Sequence, residues 1–145
     1  MKRYRVIVPS WSQLSVDMQA ETGCQYPAFV QLGGQPLYTH IVRLYESIQD
    51  EVEIVVVLPE QAPDLQINHP AGFDVRVVRL GVSHSIGDTV RAAMEGLACE
   101  QSVVVHMADT LISPHDFGEV DDVLYVQLRT DLYRWTCIRK DGDGA

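Results

Sequence analysis

Asp109 is the first candidate for a functional residue, because its carboxylate follows an apolar run at 102–107. Such runs form strands buried on both faces, and open parallel sheets bind ligands at the carboxyl ends of their strands. A carboxylate at that position suits Mg²⁺, which prefers oxygen ligands. The alternative is that Asp109 only forms a turn. We interpret His106, inside the run, as a hydrogen-bonded core histidine rather than as a ligand.

A second group of chemically useful residues lies in the segment 81–89, which is small and polar and leads into a helical pattern. Ser85 is the predicted N-cap of that helix, and Asp88 follows at the third helical position in a capping-box arrangement. Free N–H groups at a helix start can bind an anion. The carboxylate of Asp88 competes for those donors, so a capped helix without a ligand is the alternative interpretation.

The third group opens the long connection between Pro9 and Pro36. Loops longer than about 12–15 residues in compact domains are usually functional or disordered. Pro9, Ser10 and Trp11 begin this connection, and Gly33-Gly34 precedes a helix that Pro36 would open. On spacing alone, these glycines indicate a plain turn before a helix.

Alternating strands and helices must position these groups. Apolar runs predict strands at 4–8, 52–58, 73–80, 102–107, 122–128 and 133–139. Apolar residues at helical spacing predict helices from Pro36 to Ile48 and from Ser85 to Leu97, and a third helix would start at Ser113-Pro114. This order predicts an α/β fold, a doubly wound and mainly parallel sheet in three layers, with all three groups at one edge.

Length and composition narrow the possible classes of protein. The 145 residues fit a single domain, 1–145, and a hydrophobic content of 46% with 21% charged residues excludes a disordered chain. A net charge of −9 argues against nucleic acid and anionic membranes as partners. The apolar run near the start is too short for a signal peptide, and no run approaches the length of a membrane helix, so we expect a cytoplasmic protein.

The sequence lacks the motifs of several enzyme and binding classes. Cys24, Cys99 and Cys137 have no zinc spacing and form no disulfide framework. No Gly-x-Gly-x-x-Gly follows the first strand, which argues against a dinucleotide-binding domain. A Gly-x-Ser-x-Gly elbow for a serine nucleophile is also missing from the sequence.

The order of these pieces resembles the N-terminal part of a sugar-phosphate nucleotidyltransferase. The similar segments are 5–9 and 53–57 as strands, 26–29 with 32–37 before the first helix, 87–93 as a glycine-led helix, 103–110 as the strand with the metal site, and 135–144 as a later strand and turn. The resemblance implies that Asp109 holds Mg²⁺. It also implies that Pro9, Ser10, Trp11 and Ser85 face the nucleotide, and that Gly87 approaches the base.

The resemblance implies Mg²⁺-dependent transfer of a nucleotidyl group from a nucleoside triphosphate to a sugar 1-phosphate, for nucleotide-sugar or surface polysaccharide synthesis. Family domains are longer, so this chain would be an N-terminal part, with a C-terminal domain or a second copy as partner. The loop at 10–18 contains neither the glycines nor the Arg of the family, Ala28 replaces its Lys, and no Lys or Arg occurs from Val6 to Val42. The alternative is therefore an inactive module that binds a nucleotide or sugar phosphate or regulates. Arg79, Arg91 and His84 are the remaining candidate cations.

Overall fold

The computed structural model describes residues 2–66, 72–98 and 100–111. These residues form an α/β fold, a parallel sheet flanked by helices, as the sequence predicts in outline. The elements in chain order are β1 (Tyr4–Pro9), α1 (Val16–Thr22), β2 (Gln31–Leu32), β3 (Gln35–Pro36), α2 (Leu37–Leu44), β4 (Val52–Pro59), β5 (Asp74–Leu80), α3 (Ile86–Ala93) and β6 (Ser102–Val105). The predicted strands at 122–128 and 133–139 and the helix from Ser113 lie outside the described residues.

Among the described residues, the main sheet contains four strands in the order β5-β4-β1-β6, and every neighbouring pair is parallel. Val6 of β1 is in register with Ile54 of β4 on one side and with Val104 of β6 on the other. The chain runs outward from β1 through β4 to β5 and then returns to the opposite side of β1. The strand order therefore reverses between β1 and β6, and sheets of this kind bind ligands at such a switch point.

Both faces of the central strands are buried, which explains why β1 and β4 read as continuous apolar runs. On one face, α3 packs through Ala93 and Val90 against a cluster in the sheet. The strand residues of that cluster are Ile7, Val55, Val57, Val78, Leu80 and Val103. Burying each such side chain stabilises the fold by about 1.5–3 kcal/mol.

The first connection contains more structure than the predicted plain turn. It includes helix α1, a 3-10 turn at Pro27–Phe29 and the β2–β3 hairpin. Gly33 and Gly34 have positive φ angles of 57° and 78°, as a two-residue hairpin turn of type I′ requires. Pro36 is the N-cap of α2 rather than its first helical residue. The prediction missed these elements because none of the α1 residues is buried and each strand has only two residues.

The ends of other elements also differ from the predicted ones. Helix α2 stops at Leu44, and a 3-10 turn at Glu46–Ile48 completes the apolar face. Strand β6 ends at Val105, so His106 follows the strand instead of lying within it. In the part of the chain that the structure describes, no helix is long and apolar enough to cross a membrane.

An internal ion pair joins β1, β4 and the end of α3. Nε of Arg5 lies 2.8 Å from Oε2 of Glu53, and the two side chains are only 5% and 14% exposed. Nη1 of Arg5 donates to the backbone oxygens of Ala93 at 3.2 Å and Glu95 at 3.0 Å. Ala93 ends α3 and Glu95 follows its C-cap, at a place where a helix has no further backbone donors for its last carbonyls. Arg5 therefore stabilises the fold at the amino half of the sheet.

Candidate functional site

A cleft of about 300 Å³ lies at the switch point, where the segments after β1 and β6 meet the start of α3. We call it the β1/β6 cleft. It brings together residues 9–15 and 107–109, which belong to two of the three segments that were predicted to meet at one edge of the sheet. Its volume is at the lower end of the range for small-molecule sites, which is about 300–1,000 Å³. The lining residues are Pro9, Ser10, Trp11, Ser12, Gln13, Leu14, Ser15, Pro27, Ile86, Thr89, Met107, Ala108 and Asp109.

The lining of the β1/β6 cleft is polar but nearly uncharged. Hydroxyl and amide groups alternate with apolar side chains and the Trp11 indole, and Asp109 is the one charged lining residue among those the structure describes. Hydroxyls and amides both donate and accept hydrogen bonds, whereas a carboxylate only accepts them. This mixture suits a ligand that presents hydroxyl groups and a flat ring. It provides no side-chain cation for a phosphate.

Ser10 is buried and holds the base of the cleft together. Its backbone N–H donates to the Val57 carbonyl at 2.9 Å, which continues the sheet ladder. Its hydroxyl oxygen accepts the N–H of Ala28 at 3.1 Å. The side chain predicted to face a nucleotide thus ties the end of β1 to the 3-10 turn.

Trp11 has a fixed position at the rim. Its indole Nε1–H donates to the Leu80 carbonyl at 3.2 Å, across the carboxyl end of the sheet. The side chain is half-buried, and the residue lines the cleft. An indole that is already oriented loses little conformational entropy when a ring packs against it.

Ser85 and Gly87 lie beside the cleft rather than in its lining, which takes Ile86 and Thr89 from α3. Ser85 is the N-cap, as predicted, and its Oγ accepts the N–H of Asp88 at 3.1 Å. The Asp88 carboxylate accepts the N–H of His84 at 3.3 Å. The helix start thus has capping partners from its own chain, as the capped-helix interpretation expected.

Asp109 is exposed in a turn that follows β6. The N–H of Thr110 donates to the Met107 carbonyl at 3.1 Å and closes this turn. The Thr110 hydroxyl donates to Oδ1 of Asp109 at 3.1 Å and orients the carboxylate. Asp109 is thus both a turn residue, which was the alternative interpretation, and a cleft residue.

His106 is a hydrogen-bonded core histidine, as the sequence indicated. The residue is 7% exposed. One ring nitrogen, Nδ1, lies 2.7 Å from the Tyr45 hydroxyl, and the other, Nε2, lies 2.8 Å from the Thr110 carbonyl. Burial disfavours the charged imidazolium and lowers the pKa of His106 below its usual 6.5, although the Thr110 carbonyl raises it in part.

The three candidate cations lie outside the cleft lining. Arg79 binds the segment after β4, donating to the Ala62 carbonyl at 2.7 Å and pairing with Asp64 at 2.7 Å. His84 and Arg91 line a separate hollow of about 480 Å³ beside α3, which also contains Asp88 and Glu95. None of the described residues that line the β1/β6 cleft is Lys, Arg or His.

The described residues of the cleft supply too few ligands to hold a magnesium ion by themselves, but they fit an ion that is already bound to a phosphate. Within residues 2–66, 72–98 and 100–111, no three His, Cys, Asp or Glu side chains cluster closely enough to hold a metal. Mg²⁺ in phosphate sites is bound through one or two carboxylates together with water and phosphate oxygens. Asp109 can supply one such carboxylate, so these residues fit an ion already bound to a phosphate.

Gln13, Thr89 and Met107 line the cleft but were not named as site residues, although Gln13 and Met107 lie in segments that were predicted to meet. Gln13 lies in the connection after β1, and the i+3 spacing of Ile86 and Thr89 puts both on one helical face. Met107 is two residues before Asp109 and could have been chosen with it.

Compared with known proteins, the chain matches no protein-family model and none of the curated proteins.

Proposed function

We propose that this chain is a binding module for a nucleotide or sugar phosphate, and that it does not catalyse nucleotidyl transfer by itself. The observation that supports this function is a cleft at the switch point of a parallel sheet whose described lining combines hydroxyls, an amide, an indole and one carboxylate without a cation. The proposal includes the finer fold, a three-layer doubly wound sheet like that of nucleotide-sugar transferases, and a cytoplasmic location.

The ligand would be held mainly through its uncharged part. Trp11 offers a flat apolar surface for a base or sugar ring, and aromatic stacking of a base contributes about 1–3 kcal/mol. Ser12 and Gln13 are exposed cleft residues that can bond the hydroxyl groups of the ligand. A bound Mg²⁺ would neutralise phosphate charge, and Asp109 would be its protein ligand.

The absence of cations from the described lining argues against catalysis. Charge develops on phosphate oxygens during transfer, and enzymes stabilise it with Lys, Arg, metal ions and backbone N–H groups. Removing one such contact from an enzyme typically costs about 10²–10³ in rate. The described lining contains neither a glycine-rich loop nor basic side chains, so we expect binding rather than turnover.

A second candidate is Mg²⁺-dependent nucleotidyl transfer to a sugar 1-phosphate, in nucleotide-sugar or surface polysaccharide synthesis. The placement of Asp109 after β6, in the same cleft as the segment after β1, favours it. The family that the sequence resembles would place its metal and its nucleotide loop in the same way. A C-terminal domain or a second copy of the chain would then have to supply the missing cations.

Calorimetry tests the binding proposal. The full chain is titrated with each of the four ribonucleoside triphosphates and with glucose 1-phosphate, all with excess Mg²⁺. At least one should bind with a Kd below a few millimolar, and Asp109→Asn, which retains the Thr110 hydrogen bond, should weaken that binding at least tenfold. Asp74→Asn, at an exposed position that begins β5, should change nothing. If no ligand binds at millimolar concentration, the proposal is wrong.

A pyrophosphate-release assay separates the two candidates. The binding module should release no pyrophosphate above background from any triphosphate mixed with any sugar 1-phosphate. Sustained release that Asp109→Asn abolishes would establish the enzyme instead.

A further inference from the structure

A buried chain of hydrogen bonds runs from helix α2's end to the turn that presents Asp109. Tyr45, the C-cap residue of α2, is 1% exposed, and its hydroxyl lies 2.7 Å from Nδ1 of His106. The two rings meet edge to face with their centroids 5.7 Å apart. Nε2 of His106 lies 2.8 Å from the Thr110 carbonyl.

The partners determine which ring nitrogen carries the proton. A carbonyl oxygen can only accept, so Nε2 must donate its N–H to Thr110. In the neutral imidazole, Nδ1 is then the acceptor and the Tyr45 hydroxyl donates to it. This is a single consistent direction of donation, from Tyr45 through His106 to Thr110. The backbone N–H of His106 also donates to the Ile7 carbonyl at 2.8 Å, which anchors the residue to β1.

Thr110 is the point at which this chain of bonds meets the cleft. Its N–H closes the turn on Met107, its hydroxyl orients Asp109, and its carbonyl receives the His106 N–H. Asp109 is exposed, so the position of its carboxylate depends on the turn and on Thr110 rather than on core packing. His106 instead links the turn to two elements of the core, through its ring to the end of α2 and through its backbone N–H to β1.

We propose that Tyr45 and His106 are positioning residues that hold the 107–110 turn and thereby place the Asp109 carboxylate in the β1/β6 cleft. This inference rests on the proposed function only for what the carboxylate binds. The placement itself is a property of the protein without any ligand. Neither side chain lines the cleft, so both act through Thr110 rather than by contact with a ligand.

Three variants of His106 distinguish positioning from simple core filling. The side-chain amide nitrogen of His106→Gln can reach the position of Nε2 and donate to Thr110. The shorter His106→Asn carries its amide near the position of Nδ1 and cannot reach that carbonyl. His106→Leu fills the space without a donor. Tyr45→Phe removes only the hydroxyl that orients the ring.

Amide hydrogen exchange of the full chain, followed residue by residue by NMR, tests the inference without any ligand. Exchange of the Thr110 N–H should be at least tenfold faster in His106→Leu and His106→Asn than in the wild type, after correction by Val55, a strand amide that reports global unfolding. His106→Gln should restore most of the protection, and Tyr45→Phe should lose part of it. The ring nitrogen shifts of the wild type should show a proton on Nε2.

The same variants are then titrated with Mg²⁺ plus the nucleotide that binds the wild type, at a temperature at which every variant is folded. Affinity should fall in the order Gln, Asn, Leu, in parallel with Thr110 protection. If Thr110 exchange follows Val55 in every variant, the positioning role is overturned even where binding is normal. If the wild type binds no nucleotide, the proposed function fails, while the exchange result still decides the role of His106.

Discussion

The two ends of strand β1 differ in the charged groups around them. At the amino half, Arg5 is buried, paired with Glu53 and bonded to the Ala93 and Glu95 carbonyls at and just after the end of α3. At the carboxyl end, Ser10 and Trp11 open into a cleft in which Asp109 is the only charge contributed by the described lining. A cation near one end of β1 therefore serves the fold, whereas the described lining of the candidate binding site at the other end has none.

Arg79 extends this contrast to β5, which lies at one side of the described sheet. Its guanidinium donates to the backbone oxygens of Glu60, Ala62 and Pro63 and pairs with Asp64, so it orders the segment after β4. In this acidic chain, two arginines that sequence reasoning could have assigned to a ligand bind backbone carbonyls instead. Cations close to a sheet edge are thus weak evidence for a phosphate site until their partners are known.

The largest expected effect is on stability, from the loss of the buried cation. Arg5→Ala should lower the free energy of unfolding by about 3–5 kcal/mol, because it removes the closer partner of the largely buried Glu53 carboxylate and the donor to the Ala93 and Glu95 carbonyls. Arg76→Ala is the matched control, since Arg76 approaches the same carboxylate at 3.6 Å but its side chain is 43% exposed. It should cost about 1 kcal/mol or less, as exposed ion pairs do. Urea denaturation of the three proteins measures both values.

Equal losses in Arg5→Ala and Arg76→Ala would contradict a structural role confined to the buried arginine. A weakened ligand affinity in Arg5→Ala, measured under conditions where it is folded, would also erase the contrast between the two ends of β1.

The next largest effect is expected from adding a cation to the β1/β6 cleft, at the carboxyl end of β1. Gln13 is exposed and lines the cleft, so Gln13→Arg places a guanidinium there without disturbing the core. A hydrogen bond to a charged group is worth about 1.5–3 kcal/mol, so tripolyphosphate should bind at least about tenfold more tightly. Gln13→Met, of similar length and without charge, should not change the affinity. Calorimetry at two salt concentrations should show the gain shrinking as salt rises.

An unchanged affinity for tripolyphosphate in Gln13→Arg would mean that the missing cation is not what limits phosphate binding in this cleft. The contrast between the two ends would then lose its functional meaning.

A third effect concerns pH and the buried histidine behind the cleft. Because the pKa of His106 is lowered in the folded protein, the unfolded state binds its proton first as the pH falls. The contribution of His106 to stability is therefore complete above about 6.5 and is lost as the pH falls through its folded pKa. The difference in unfolding free energy between wild type and His106→Gln, measured by urea denaturation from pH 8 to 5, should move against the wild type. A difference that stays constant over this range would contradict the lowered pKa.

Sequence patterns predicted the parts of the molecule that depend on strong periodicity. The four described strands of the main sheet and the two amphipathic helices were expected, and so was the meeting of the segments after β1 and β6, because parallel strands share one carboxyl edge. Helix α1 and the β2–β3 hairpin were missed, because short exposed elements carry no apolar period. Gly33-Gly34 was still a usable hairpin signal.

The pairing of side chains could not be read from the sequence. Arg5 meets partners 48 and 88 residues away, and Tyr45 meets His106 across 61 residues. Such contacts depend on register and helix placement, which sequence periodicity does not specify. The assignments of Asp109 to Mg²⁺ and of Ser85 and Gly87 to a nucleotide stay predictions, because they concern a ligand rather than the fold.

The smallest expected effect on stability comes from a glycine at the start of α3. A Cβ at Gly87 would meet only Oγ of Ser85 at 3.5 Å, an ordinary van der Waals distance. Gly87→Ala should therefore leave stability unchanged or raise it by up to about 1 kcal/mol through helix propensity. Gly96→Ala, after the same helix, is the matched control, because φ is +72° there and a side chain costs about 1–2 kcal/mol.

Ligand affinity then decides what Gly87 does. If a base approaches this position closely, as the resemblance implies, Gly87→Ala should weaken nucleotide binding at least tenfold with no loss of stability, whereas Gly96→Ala should lose stability and keep its affinity when folded. Calorimetry combined with urea denaturation separates the two. Unchanged nucleotide affinity in Gly87→Ala would place the base elsewhere, and the cleft between Trp11 and Asp109 would have to hold the ligand without help from the helix start.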